Sequence, residues 1–352
     1  MIIYPLRAAH GDALIVEEML NEQTYRIVVD GGPEDTADII AERYNKIGHI
    51  ALLVLTHYDE DHIKGILKYI ESLKEGERVI DTVWANCANA VYYDVEENTA
   101  AYDDAFTLSK HLDKLKRQGV IGEWKDGITI ETQQTTIGPF LIDVLSPTKA
   151  VNEELRTQYQ HYIDEEGLKD DPDTDEEVSY GRVLSDASKN FDDLVKSFKP
   201  NGTSFMNRSS IALRVSAYDK TILLLADAAV KTITDSLIRL EATADNPMKI
   251  DLVKMSHHGS KANISKLLFD LICCDQYLFT SNGGSGGAYH PDRQTIACLQ
   301  AWAKGNQEKK TLYFNYPIST IMQRNTGFLN DEEKNHFIII DNYPTDNPAI
   351  TL

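Results

Sequence analysis

Cysteine, basic charge and long apolar runs are all scarce in this 352-residue sequence. The four cysteines, Cys87, Cys273, Cys274 and Cys298, show neither zinc-ribbon spacing nor a framework of pairs. A disulfide-stapled scaffold is therefore excluded. Cys273 and Cys274 fall in an apolar stretch and read as small buried hydrophobes. No run approaches the ~18 apolar residues that a membrane helix needs. The start, Met1-Ile2-Ile3-Tyr4-Pro5-Leu6-Arg7, has neither the basic region nor the long apolar core of a secretory signal. A cytoplasmic protein with no membrane partner is expected. Lys and Arg number 35 against 55 Asp and Glu, a net charge of −20. Such a charge repels nucleic acid over a Debye length, ~8–10 Å in physiological salt. An enzyme of this composition acting on nucleic acid needs a local basic surface, a bound metal or a partner subunit.

What is present is an ordinary globular composition, 42% hydrophobic and 26% charged, organised around one stretch. Ile50 to Leu55 is apolar without interruption and reads as a strand buried on both faces. It breaks into His57-Tyr58-Asp59-Glu60-Asp61-His62, after which Ile63, Ile66, Leu67 and Ile70 follow at helical spacing. The polar cluster sits where a buried strand hands over to a helix, the usual place for a ligand in an α/β sheet. Residues two apart in extended backbone point the same way, so His57, Asp59 and Asp61 project together with His62 close by. Two imidazoles and two carboxylates in one turn suit one or two divalent metals. The bland alternative is a solvated acidic turn with Asp61 capping the helix.

The pattern recurs. Lys220 to Ala226 reads as a second buried strand and ends in Asp227. The stretch 250–255 reads as a third and ends in Ser256-His257-His258-Gly259-Ser260. A fourth strand and a Gly-rich loop lead to His290. Alone, Asp227 reads equally well as a helix cap, and a strand-end His as a core hydrogen-bonding group. Ligand types at the exit of each apolar strand point to a metal. Near the start, His10-Gly11-Asp12 reads as a hairpin turn rather than as part of the cleft. A strand is also expected over 128–132 and a helix over 237–244. Residues 150–201 differ from the rest: nine acids crowd between Asp164 and Glu177, too few apolar residues accompany them for a core, and the block reads as a solvated loop or lid. The expectation is one domain, 1–352, with an acidic insertion at about 150–201.

His57-Tyr58-Asp59-Glu60-Asp61-His62 with Gly65 resembles the first metal motif of the metallo-β-lactamase fold superfamily, which more often has His at the position of Asp59. The Asp form is similar to the hydrolase domain of ComEC-type competence proteins. Gly11-Asp12, Asp30-Gly31-Gly32, Asn207-Arg208-Ser209-Ser210, Asp227 and His257-His258-Gly259-Ser260 match that branch as well. Stand-alone proteins of this type stand beside ATPases in antiphage (antiviral defence) systems of the AVAST kind. The resemblance implies an α/β fold, a metallo-β-lactamase-like αββα sandwich of two mixed sheets flanked by helices, with two divalent metal ions, zinc or manganese, at one edge. His57 and Asp59 would bind the first ion, Asp61 and His62 the second, and Asp227 would bridge them. His257 or His258 would complete the second site, His257 being favoured as the first off the strand. The superfamily usually supplies a further His to the first ion. Here only His111 and His161 lie in that interval, and Asn207 or Ser209 stands in its place.

A bound divalent ion lowers the pKa of its water toward ~7 and polarises the scissile group. Asp61 is then suited to orient the nucleophile, and His258 or His290 to donate a proton to the leaving group. By resemblance the reaction is phosphodiester hydrolysis by a nuclease, with Lys64, Arg208, Lys254 and Lys261 as phosphate contacts and an ATPase-type protein partner. The charge of −20 favours instead a hydrolase of a small ester, lactone or thioester. A non-catalytic partner-binding module is the third reading.

Overall fold

A computed structural model describes residues 1–86, 104–164, 188–199, 202–284, 289–343 and 348–352. Among them two large sheets form. The first comprises β1 (Ile2–Pro5), β2 (Leu14–Leu20), β3 (Gln23–Val29), β4 (Ile50–Val54), β5 (Ile80–Trp84), β6 (Ile121–Lys125) and β17 (Ile350–Thr351). The second comprises β7 (Thr135–Ile137), β8 (Phe140–Ser146), β9 (Ala212–Ala217), β10 (Lys220–Leu224), β12 (Leu252–Lys254), β14 (Gln276–Phe279), β15 (Thr311–Phe314) and β16 (Ile338–Ile340). Their strand orders are β17-β1-β2-β3-β4-β5-β6 and β16-β15-β14-β12-β10-β9-β8-β7. A small ribbon pairs β11 (Met248–Ile250) with β13 (Ile272–Cys274).

Both sheets are mixed. β3, β4, β5 and β6 run parallel, as do β10, β12, β14, β15 and β16. The apolar run of β4 has two faces to fill. Leu52 and Val54 meet Leu213, Val215, Ile222, Leu224 and Leu252 in a layer between the sheets. Leu53 and Leu55 pack under helices α1 (Glu34–Ile47), α2 (Glu60–Ser72) and α3 (Asp104–Arg117). Leu223 and Leu225 pack on the opposite outer layer, with Ile233, Leu237, Phe269 and Ile296. Helix, sheet, sheet, helix is the expected αββα sandwich, and the two-sided burial explains why these strands show no alternation.

Three local expectations fail for identifiable reasons. Residues 128–132 form a loop: the Ile128 N–H donates to Asn86 Oδ1 and its carbonyl accepts from Asn86 Nδ2, so a side chain takes the place of a neighbouring strand. The helix expected over 237–244 spans Val230–Arg239; Ile233 and Leu237 carry its buried face, and β-branched Thr232 and Thr234 hide its start. The stretch 250–255 is two strands split at Asp251, which exchanges hydrogen bonds with Thr221. In the insertion, helix α4 (Lys149–Asp164) precedes the acidic block, whose residues 165–177 lie outside the described residues. At its far end, Phe191 and Leu194 of the helix Phe191–Lys196 join the core of the second sheet. Cys274 and Cys298 are buried and Cys273 half-buried, all as free thiols; Cys87 lies outside the described residues. No described helix is long and apolar enough to cross a membrane.

Candidate metal centre

The carboxyl ends of the parallel strands of both sheets open on one edge. There β4 ends in a stitched exit: Thr56 N and Oγ1 both donate to the Asp30 carboxylate at 2.8 Å, and the Thr56 carbonyl accepts from Ile211 N of the other sheet. Asp59, not Asp61, takes the cap position of α2, and its side chain makes no capping bond. Asp61 lies inside the first turn, so the capping alternative is not what the structure shows. Two glycine turns hold that turn in place. Asp12 N donates to Asp61 O, and a Cβ on Gly11 would sit 1.8 Å from that oxygen. Gly31 N donates to His62 O at 2.7 Å, and a Cβ on Gly31 would meet Ile66 N at 2.2 Å. His10-Gly11-Asp12 closes the β1–β2 hairpin as expected, and Gly11 and Asp12 dock on the cleft as well.

All the candidate ligands come to this edge. His57, His62 and Asp227 place donor atoms within 4.8 Å of one another, and so do Asp61, His62 and His258. His57 Nε2 is 3.2 Å from Asp59 Oδ2. Asp227 Oδ2 lies 3.6 Å from His62 Nε2, 3.6 Å from His257 Nε2 and 3.9 Å from His258 Nε2. His258 Nε2 is 3.3 Å from Asp61 Oδ2. The geometry thus groups His258, rather than His257, with Asp61 and His62. Both have positive φ, 48° and 53°, and the tight turn sends their rings apart, 70° between planes. His257 faces His290, ring centroids 4.9 Å apart. Ser209 turns its hydroxyl back to Met206 O, and Asn207 lies against His257. His111 faces Glu71 in the outer helix layer; the side chain of His161 lies outside the described residues.

A layer of support that the spacing did not reveal fixes three of the rings. Asp30 Oδ2 lies 2.8 Å from His62 Nδ1. Thr56 Oγ1 is 3.0 Å from His57 Nδ1. The Thr280 carbonyl, across the edge, is 2.9 Å from His258 Nδ1. With each Nδ1 so engaged, the Nε2 atoms of His57, His62 and His258 are buried, face the cleft and are not hydrogen-bonded. Asp12 lies beneath His258, its Oδ1 3.3 Å from Nδ1 and 2.5 Å from Thr280 Oγ1. It pairs with Lys254. Lys254 shares the inter-sheet face of β12 with Leu252 and is fully buried, so it cannot contact a phosphate as the sequence reading expected. Lys64 is engaged by Asp104 at 2.7 Å. Arg208 stays exposed and Lys261 half-exposed.

The charges are mutually dependent. Burial alone would raise Asp227, but His257, His62 and His258 outweigh it and hold the carboxyl well below the usual range. Asp61 is lowered likewise, against its own burial, by His62 and His258. Burial would lower His258, yet Asp12 and Asp227 raise it to about 9. Asp61, Asp227 and Asp30 raise His62 against burial in the same way. This is a well of negative potential, filled by protons on imidazole or by a cation that displaces them. Donor atoms on one tetrahedral ion with bonds of ~2.1 Å stand about 3.4 Å apart, close to the 3.2–3.9 Å separations between carboxylates and imidazoles here. The residues fit a metal.

Residues 9–147 match the family model of the Metallo-beta-lactamase superfamily. The fold is the metallo-β-lactamase sandwich. Among solved structures, the metallo-beta-lactamase fold protein YhfI from Bacillus subtilis is similar over 100% of both chains, at 12% identity and a TM-score of 0.39. Zn(2+)-bound PqqB from Methylobacterium extorquens is similar over 100% of both chains, at 11% identity and a TM-score of 0.42. A metallo-β-lactamase with a HARLDQ motif from Cronobacter sakazakii is similar over 71% of this chain and 76% of its own, at 13% identity and a TM-score of 0.32. No curated protein matches the sequence.

Proposed function

We propose that this chain is a metal-dependent hydrolase of phosphodiesters, a nuclease in the resembled branch, using two divalent ions. The observation that carries the metal is the convergence of three buried imidazole Nε2 atoms, none hydrogen-bonded, on Asp61 and Asp227. His57, Asp59, Asp61, His62, Asp227 and the His257-His258 pair would hold the ions, and a set this rich in carboxylates lets manganese compete with zinc. A divalent ion, when bound, supplies an acidified water and a Lewis acid. The chain's own groups do the rest. Asp61, half-exposed at the mouth, orients the attacking water. His290, with Asp292 Oδ2 3.6 Å from its Nδ1, delivers a proton to the leaving group from Nε2. His258, set among ligands, is withdrawn from that role. The motif resemblance supports the setting we propose: cytoplasmic antiphage defence, nucleic acid as substrate and an ATPase-type protein partner.

A second reading has one observation in its favour. Of the four cations expected to meet phosphates, Lys254 is buried in an ion pair and Lys64 is neutralised, which favours a small ester, lactone or thioester. The test is metal content of the purified protein, with manganese- and zinc-dependent cleavage of single- and double-stranded DNA and of a small aryl ester. Asp61→Ala, which removes a candidate ligand and the group that orients the water, should lower DNA cleavage by about 10²-fold or more. Ester cleavage without DNA cleavage moves the assignment to the second reading, and absence of metal sinks both.

A further inference from the structure

We infer that Arg293 is a positioning residue for His290, and that the far end of the insertion sets that position. The inference rests on the proton-donor role proposed for His290 above. Asp292, whose Oδ2 is 3.6 Å from His290 Nδ1, takes the cap position of the helix Arg293–Trp302. Its side chain makes no capping bond and accepts instead from Lys261 N at 2.8 Å, while its own N donates to Gly259 O at 3.1 Å. Asp292 therefore moves with the first turn of that helix, and Arg293 and Gln294 fix the turn.

The far end of the insertion runs along the same helix. Phe191 lies under the Arg293 guanidinium, its ring centroid 5.7 Å from Cζ. The Leu194 carbonyl accepts from Gln294 Nε2 at 2.7 Å. Phe198 meets Trp302 edge-on, ring centroids 5.2 Å apart. Arg293 also pairs with Glu333. Oε2 of Glu333 lies 3.3 Å from Arg293 Nε and accepts from Asn330 N, in the cap of the short helix Asp331–Lys334. Arg293, Gln294 and Glu333 are all buried. A buried ion pair adds little stability over apolar residues of similar volume, so packing alone does not call for one here. What the guanidinium adds is direction, because its planar fork holds a carboxylate in one orientation and stacks on an aromatic face. One side chain thus ties the insertion and the segment 330–334 to the turn that carries Asp292.

The experiment compares the zinc-loaded full chain with Arg293→Met, Gln294→Met and His290→Ala. The substrates are DNA and bis(p-nitrophenyl) phosphate, whose leaving group departs without a proton. Metal content is measured alongside, and proton–nitrogen NMR reads the His290 imidazole, assigned by its loss in His290→Ala. Arg293→Met should lower kcat on DNA by about 10-fold or more beyond its effect on the nitrophenyl diester. KM and metal content should hold, and the His290 nitrogen shifts should move. Gln294→Met, which severs only the bond to Leu194 O, should show the same selectivity to a smaller degree. Should Arg293→Met not fold, Arg293→Lys, which keeps the charge and loses the fork, replaces it. Equal losses on both substrates or unmoved His290 shifts in a folded Arg293 variant, or a Gln294→Met identical to the parent, overturn the inference and leave the hydrolase reading intact. No selectivity in His290→Ala removes the proton-donor role and the inference with it, and a parent that cleaves neither diester overturns the nuclease reading and the inference together.

Discussion

Lys254→Met removes the buried lysine under the site. Lys254 is fully buried and Asp12 nearly so, and the two join opposite sheets. Breaking a buried pair by removing one partner costs about 3–5 kcal/mol, because the remaining charge is left uncompensated. Here His258 stands 3.3 Å from Asp12 and offers a second cation, so the loss should fall near the low end, about 3 kcal/mol. Replacing both members by apolar groups of similar volume is often neutral. Asp12→Leu with Lys254→Met should therefore recover most of the loss, with a coupling of about 2 kcal/mol or more across the cycle. The assay is equilibrium urea unfolding of all four proteins with chelator present, followed by zinc titration of the folded ones. The double variant should regain stability yet bind zinc about 10–100-fold more weakly, since His258 has lost the carboxylate behind it. A single variant within about 1 kcal/mol of the parent, or additive effects in the cycle, would refute the reasoning.

Two further substitutions address the support of α2 and its candidate ligands. Asp30→Asn keeps the shape that Thr56 binds but removes the charge behind His62 Nδ1; zinc affinity by calorimetry should fall about 10–100-fold, and unchanged affinity would show that the carboxylate does not matter. Gly11→Ala forces a Cβ against Asp61 O at 1.8 Å; overpacking of this kind costs about 1–3 kcal/mol, and a melting temperature equal to the parent's would show that the turn yields freely.

Much of the centre was legible because ligand types followed apolar strands. β4 and β10 are buried on both faces, so their runs stand out, and the polar residues after Leu55 and Ala226 could be placed at one edge without knowing the sheet order. The supporting residues were hidden by the same logic. Asp30 and Asp12 neighbour glycines and so carry the signature of turns, and nothing in the sequence says that those turns dock on α2. Lys254 sits within an apolar strand, where a lysine reads as an exception; its partner is 242 positions away, beyond any local pattern. The choice between His257 and His258 lies out of reach for a related reason. Order along the chain does not give ring direction when both residues have positive φ, because the turn reverses the expected alternation. Residues 128–132 misled because Asn86 supplies from a side chain the bonds a strand would have made.

The position of the centre follows from how the two sheets end. Between them the interior is apolar, from Ile3 and Val16 to Phe140 and Leu278, and needs no further fastening. At the strand ends that layer gives way to polar links: Ile211 N to Thr56 O, Lys254 to Asp12, and His62 to Asp227. The first sheet contributes His57, Asp59, Asp61 and His62, the second Asp227, His257 and His258, so no ion can be fully bound unless both sheets are in register. Binding and docking of the sheets are then one equilibrium. An ion present at a thousand times its dissociation constant adds about 4.1 kcal/mol to the folded state alone. Without it, the clustered carboxylates depend on protons held by His62 and His258. The residues that would do the chemistry are thus also those that fasten this edge, and substitutions among them must be read against both metal binding and folding.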